Sequence, residues 1–185
     1  TVNILLRGIP FIYQGQEIGM RNCRMNNIEE YNDIGTVNEY NNALKAGLSK
    51  EEALEVCYHH SRDNARTPMQ WSSSENAGFT TGVPWIRVNG DYKECNAKVQ
   101  YEDSTSTFNY YKSLMYLRKA NKSTLVYGDF EPIETNDETF CFYRESAESK
   151  FYIEMNLTEN IVERPVSIEW ECLLSNYSVS ADKLR

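Results

Sequence analysis

Two arginines stand four residues apart at the head of the stretch SRDNARTPMQWSSSENAGFTTGVPW, residues 61–85. A guanidinium is a planar, permanently charged fork of N–H donors, suited to holding carboxylates or pairs of sugar hydroxyls in one orientation. Arg62 and Arg66 are therefore candidate ligand-binding residues, and Asp63, between them, is placed to pair with a guanidinium and hold it. Spacing alone leaves the other reading open, in which both arginines simply bridge to the chain's excess acid. Trp71, Trp85, Tyr13 and Phe79 are candidates for stacking on a sugar ring, although aromatics beside a loop more often fill a minor core.

The remaining chemistry-bearing residues say less. Glu17, Glu29, Glu30, Asp33 and Asp63 fall in or beside loops, but their spacing selects no acid–base pair. His59 and His60 are the only histidines, adjacent on a helical pattern with no third ligand at metal spacing. No cofactor or metal is expected. No G-x-S-x-G, phosphate-binding loop or dinucleotide fingerprint occurs.

Composition narrows the partners. Nineteen Lys and Arg against 27 Asp and Glu give a net charge of -8, with no basic run, which argues against nucleic acid. No apolar run approaches the ~20 residues needed to span a bilayer, and there is no signal-peptide h-region, so no membrane role is expected. Cys23, Cys57, Cys95, Cys141 and Cys172 are odd in number, scattered, and free of any C-x-x-C pair. That usage points to reduced thiols and a cytoplasmic protein. Sequons begin at Asn121, Asn156 and Asn176 but carry little weight without a secretion signal.

The elements that must hold these residues follow from periodicity. The opening TVNILLRG reads as the last turn of a helix, with Arg7 near its end and Gly8 at the capping position. PFIYQG, residues 10–15, reads as a buried strand. Residues 16–35 read as loop. Two capping boxes then predict a helical hairpin: Thr36 with Glu39, stopping at Gly47, and Ser49 with Glu52, with Ala53, Val56, Cys57 and His60 on one face. Residues 61–103 are rich in turns, a length of loop that needs a function. Residues 104–120 return to helix, with Phe108, Tyr111, Leu114, Met115 and Leu117 on one face and Arg118 and Lys119 in the last turn.

After Asn121 the period becomes two. Residues 139–144, 151–157 and 166–172 predict a half-buried antiparallel sheet, with Val166, Ile168 and Trp170 on its inner face. A core position for Trp170 argues against an independent sugar-binding module. The domain boundary is placed near 122, giving 1–122 and 123–185. An opening without Met and an end without a turn suggest a piece of a longer chain.

The residues are more specific than their pattern. GIPFIYQGQEIGM (8–20) resembles the eighth-strand segment of the α-amylase superfamily, glycoside hydrolase family 13. SRDNARTPMQWSSSENAGFTTGVPWIRVNGDYKECN (61–96) resembles the oligo-1,6-glucosidase and α-glucosidase branch. The resemblance covers essentially the whole chain. It implies an α/β plus all-β architecture, the last βα unit of a (β/α)8 TIM barrel carrying a long inserted loop, then a small antiparallel β domain. Strand eight would occupy 9–15, the loop 16–103, helix eight 104–120, and the β domain 123–185. Barrel active sites lie at the carboxyl ends of the strands, where this loop would wall a pocket.

The resemblance also assigns roles. Arg62 and Arg66 match the family's R-D-x-A-R arginines at the non-reducing glucose site, with Asp63 supporting them. The implied activity is that of a retaining α-glucosidase acting on short isomalto- or malto-oligosaccharides. Its catalytic carboxylates lie in motifs ending in a His-Asp pair, and HD occurs nowhere here, so no residue inherits a catalytic role and the piece is expected to be inert. Its expected partners are the oligosaccharide and the remainder of the barrel, or a second copy. Gly35 falls where related glucosidases carry a glutamate on the aglycone side, so a preference for 1,6 bonds does not follow. The alternatives are a trehalose-6-phosphate hydrolase, a glucosyl-transferring relative, or a non-catalytic relative acting as an interaction protein. Residues 1–35 are expected to pack poorly without the strand's neighbours.

Overall fold

The computed structural model describes residues 1–133, 137–162, 170–177, 179–180 and 183–184. Packing divides the chain into two units, one formed by Thr1–Ile12 with Asn109–Arg185 and the other by Tyr13–Phe108.

The unit of residues 13–108 is built on the predicted helical hairpin. Helix α2 spans Ile34–Lys45 and α3 spans Lys50–His60. The Ser49 capping box forms as expected: the Ser49 hydroxyl accepts from the Glu52 amide, and the Glu52 carboxylate accepts from the Ser49 amide at 2.8 Å. The first box does not form. Helix α2 begins earlier than the sequence suggested, with Asp33 as its N-cap accepting the Gly35 amide at 3.2 Å. A carboxylate at position 33 captures that orphan amide one turn ahead of Thr36. Thr36 is instead buried, its hydroxyl donating to Asp33 Oδ2 at 3.0 Å. Between the helices Gly47 turns the chain at a φ of 96°, a left-handed conformation that favours glycine.

Tyr40 of α2 and Ala53 and Cys57 of α3 are buried in one apolar cluster, with Ala43 and Leu44 packed partly against it. Cys23, Met25, Tyr31 and Ile86 complete it. Residues 16–35, expected to pack poorly, thus supply much of this core, and Ile18 is buried as well. His60, placed on the same face by spacing, is exposed because it sits at the helix end.

The strand expected at 10–15 is not formed. Ile9 and Phe11 are exposed, and among the described residues no strand pairs with this segment. A parallel strand is stabilised by ladders on its flanks, and an apolar run without them has nothing to pair with.

The other unit carries α1 (Val2–Leu5), most of α5 (Thr107–Ala120) and α6 (Lys122–Leu125), while α4 (Ala97–Glu102) lies within residues 13–108. The first of these ends at Leu5, so Gly8 is not its cap. A three-stranded antiparallel sheet follows, in order β1 (Asp129–Pro132), β2 (Thr139–Glu145), β3 (Lys150–Asn156). β1 escaped the sequence reading because Pro132 and two acids mask it; a proline at the end of an edge strand forfeits no ladder bond. Residues 179–180 pair antiparallel with residues 183–184 as the short strands β4 and β5.

Phe142 of β2 faces Ile153 of β3 in register, and with Ile4, Leu5, Leu114, Leu125 and Met155 they form the second core. β2 is not simply half-buried, since Cys141 is fully buried on its opposite face. The strand expected at 166–172 lies partly outside the described residues, as do Val166 and Ile168; residues 170–172 are not strand. Trp170 is not a core residue. It is 38 % exposed and stacks over Tyr143 at 6.2 Å.

Two arginines here are buried. Arg118, in the last turn of α5 as expected, is buried and donates to the carbonyls of Ile4 and Leu125, each at 2.7 Å, and to that of Gly8 at 2.6 Å. Arg144 is fully buried and donates to the carbonyls of Leu5 and Leu125, each at 2.9 Å, and Gly128 at 3.0 Å. Carbonyls left open at the ends of α1 and α6 are thereby satisfied by side chains instead of water. Burial lowers the pKa of both guanidiniums from the ordinary arginine value. No helix among the described residues is long and apolar enough to cross a membrane.

Candidate functional site

Residues Arg62–Arg66 form a 3-10 turn at the end of α3, capped by Ser61, whose hydroxyl accepts the Asp63 amide at 3.1 Å. With three residues per turn, side chains at i and i+3 eclipse, so Asp63 and Arg66 face one another and pair. Arg62 projects from another face of the turn and cannot share that carboxylate. Its fork closes on Asp33 instead, Nε donating to Oδ2 at 3.1 Å and Nη2 to Oδ1. Asp63 thus pairs with Arg66, while Arg62 is held by Asp33, a carboxylate that spacing alone does not single out. One signal was available: Asp33 sits where an N-cap belongs, immediately before the helix.

The two acids form one buried base. Asp63 is fully buried, and its Oδ2 accepts the amides of Asn32 at 2.7 Å and Asp33 at 2.9 Å. Asp33 is 5 % exposed and receives the Gly35 amide and Thr36 hydroxyl besides Arg62. The Arg62 hydrogen bond, chiefly, holds the Asp33 carboxyl well below the usual carboxylate range, and the same pairing raises the pKa of Arg62. Over this base the arginines reach outward, their side chains 74 % exposed for Arg62 and 37 % for Arg66. Fixed cations with spare N–H donors can orient oxygen-rich ligands; they cannot by themselves transfer a proton near neutrality.

The surrounding motif residues brace the turn. Asn64 accepts the Cys23 amide at 3.0 Å and donates to the Tyr58 carbonyl at 2.8 Å. The Tyr13 hydroxyl donates to the Ala65 carbonyl at 2.8 Å. Gln70 is fully buried, its Nε2 donating to Asp91 Oδ1 at 3.0 Å and to the Cys95 carbonyl at 2.5 Å. Trp85 lies beside the site, with the Arg66 guanidinium carbon 5.3 Å from its ring centroid. Trp71, Phe79 and Trp85 are all more than half exposed, so none of the three is a core residue.

The other candidates stay apart from this constellation. Glu30 pairs with Arg87 at 3.1 Å, Glu29 is exposed, and His59 pairs with Glu55 at 3.1 Å. Glu17 keeps one buried carboxylate oxygen without a hydrogen bond, as does the Gln70 amide oxygen. Among the described residues no group of three or more His, Cys, Asp or Glu could hold a metal ion. All five cysteines are free thiols, and burial raises the pKa of Cys23, Cys57 and Cys95.

Comparison with known proteins adds independent findings. The family model for the alpha amylase catalytic domain matches residues 1–128. An oligo-1,6-glucosidase of Bacillus cereus is 44 % identical, aligned over 97 % of this chain and 33 % of its own length. Among solved structures, the trehalose-6-phosphate hydrolase of Bacillus licheniformis superposes with a TM-score of 0.87 at 36 % identity, covering 98 % of this chain and 34 % of that one. An isomaltulose synthase of Erwinia rhapontici NX5 superposes with a TM-score of 0.80 at 34 % identity, over 89 % of this chain and 30 % of its own. The chain spans about a third of the length of the curated relatives it matches.

Proposed function

The chain belongs to the alpha-amylase family, and on that premise we propose that it is the portion of a retaining α-glucosidase that grips the terminal sugar of short α-glucosides. In this reading residues 1–122 are the end of a (β/α)8 catalytic barrel and residues 123–185 a C-terminal antiparallel β domain. Residues 9–15 take the eighth-strand position, 16–103 the long loop beside the pocket, and 104–120 the eighth helix. The apolar side chains exposed at Ile9 and Phe11 suit a segment that pairs with neighbouring barrel strands in the longer protein.

The observation that carries the reading is the pair of outward guanidiniums standing on two buried carboxylates. Such forks donate hydrogen bonds to the vicinal hydroxyls of a glucose ring, and their orientation is fixed before the sugar arrives. Bond cleavage with retention needs two further carboxylates about 5 Å apart, one attacking the anomeric carbon and one protonating the leaving oxygen. Asp33 and Asp63 are committed to arginines and backbone amides; in the reading that the family resemblance supports, the attacking and protonating acids come from other segments of the longer enzyme.

The substrates are isomalto- or malto-oligosaccharides, attacked from the non-reducing end. The similarity to oligo-1,6-glucosidases favours the former, but Gly35 offers no carboxylate on the Arg62 flank. A second reading, hydrolysis of a 6-phosphorylated disaccharide, is favoured by the match to the trehalose-6-phosphate hydrolase. The scattered free thiols support a cytoplasmic location.

The test uses p-nitrophenyl α-glucoside with both the 185-residue chain and the longer enzyme. The chain alone should give no turnover above background. In the longer enzyme Arg66→Lys, which keeps Asp63 paired but loses the fork, should lower kcat/KM by roughly 10- to 100-fold, the value of one charged hydrogen bond. Turnover by the chain alone, or an unchanged Arg66→Lys enzyme, refutes the proposal.

A further inference from the structure

Asp33 does two things with one carboxylate. It caps α2 through the Gly35 amide at 3.2 Å, and it grips Arg62 through Nε at 3.1 Å and through Nη2. Its own amide donates to Asp63 Oδ2 at 2.9 Å, the carboxylate that holds Arg66. The side chain is nearly inaccessible, and the Thr36 hydroxyl at 3.0 Å fills a remaining lone pair. Asp33 therefore has no free oxygen to offer a ligand and no room to turn toward one.

Arg62 is the opposite case. Its side chain is 74 % exposed, a setting in which an arginine ordinarily samples many rotamers and pays for ordering when it binds. Two of its five N–H groups are committed to Asp33, leaving the other three directed away from the carboxylate. Gly35 leaves that flank uncovered: a Cβ there would stand 3.5 Å from Arg62 Nη2.

From this arrangement we infer that Asp33 is a positioning residue of the sugar site, acting through Arg62: its carboxylate sets the guanidinium in a single orientation, and the start of helix α2 fixes the carboxylate. The inference rests on the reading of Arg62 as a sugar-binding residue. It ties the helical hairpin to the site, because the N-terminus of α2 and the Arg62 fork share one anchor. A shift of α2 at its first turn would move Arg62, and, through the Asp33 amide, Asp63 as well.

Asparagine is as good an N-cap as aspartate, so Asp33→Asn keeps the helix start and removes only the ionic grip. In the longer enzyme, kcat and KM on isomaltose are measured for wild type, Asp33→Asn, Arg62→Ala and the double variant. The expected result is a fall in kcat/KM on the order of 10-fold or more for each single variant, with Asp33→Asn causing no further loss once Arg62 is alanine. A loss for Asp33→Asn that persists undiminished in the Arg62→Ala background means that Asp33 acts by another route and overturns the inference. Wild-type kinetics for Asp33→Asn, together with a damaged Arg62→Ala enzyme, also overturns it while leaving the sugar-site reading intact. An undamaged Arg62→Ala enzyme removes that reading itself. Should Asp33→Asn fail to fold, Arg62→Lys serves, since it keeps the charge but cannot form the two-point grip; wild-type kcat/KM in that variant would overturn the inference as well.

Discussion

Replacing Asp63 with alanine should be among the most damaging single changes in residues 13–108. The side chain is fully buried and makes three hydrogen bonds: to the amides of Asn32 and Asp33 at 2.7 and 2.9 Å, and to Arg66. A hydrogen bond to a charged group contributes about 1.5–3 kcal/mol, but the three losses are unequal. Asn32 is exposed, so its amide finds water; the amide of buried Asp33 does not, and bears the desolvation penalty of about 1–3 kcal/mol. Arg66 is partly exposed and rehydrates, which discounts the ion pair. The sum is about 3–5 kcal/mol. Asp63→Asn keeps an oxygen for the two amides and loses chiefly the Arg66 pair, so it should cost less, about 1–2 kcal/mol. Urea unfolding followed by tryptophan fluorescence reads this directly, since Trp71 and Trp85 both lie in this unit. With a slope near 2 kcal/mol/M, the alanine variant should lower the midpoint by roughly 1.5–2.5 M. A midpoint within about 0.3 M of wild type, or asparagine as damaging as alanine, refutes the idea that the carboxylate anchors the turn.

Two further outcomes are expected, one in each unit. Gly128→Ala should destabilise the other unit by about 2–3 kcal/mol, because a Cβ there would lie 2.4 Å from the Thr124 carbonyl oxygen and 2.5 Å from that of Glu145, neither of which can move aside; a thermal melt close to wild type would contradict this. The Asp33–Arg62 pair should stabilise the fold in a pH-dependent way with a fixed sign. Its carboxyl is depressed in the folded chain, so the contribution is complete above the unfolded value of about 3.9 and is lost as pH falls from there toward the lower folded value. The stability difference between wild type and Asp33→Asn should accordingly be flat from about pH 5 upward and shrink below about pH 4, measured by denaturant titration at each pH. A difference that shrinks instead on raising the pH from 5 to 8 would rule the pair out as its source.

Local chemistry made much of this chain legible before any fold was considered. The Ser49–Glu52 box, the helical hairpin and the alternation of residues 139–144 and 151–157 depend on neighbours a few positions away, and the structure follows them. The RDNAR stretch announced two arginines worth a ligand, and the acid between them announced an ion pair. Which acid serves which arginine was beyond the sequence. It turns on a 3-10 turn that eclipses Asp63 with Arg66, and on a fold that carries Asp33 across 29 positions to meet Arg62. Arg118 and Arg144 show the same limit: nothing in their spacing marks either as buried, and each lies where carbonyls at the ends of α1 and α6 converge on it. Residues 10–15 mark the converse, a strand pattern plain in the sequence that takes no strand form, since a ladder requires partners that propensity cannot supply. Spacing along the chain decided which residues had donors, charges and turns to offer, while contacts between distant segments decided how those groups were paired.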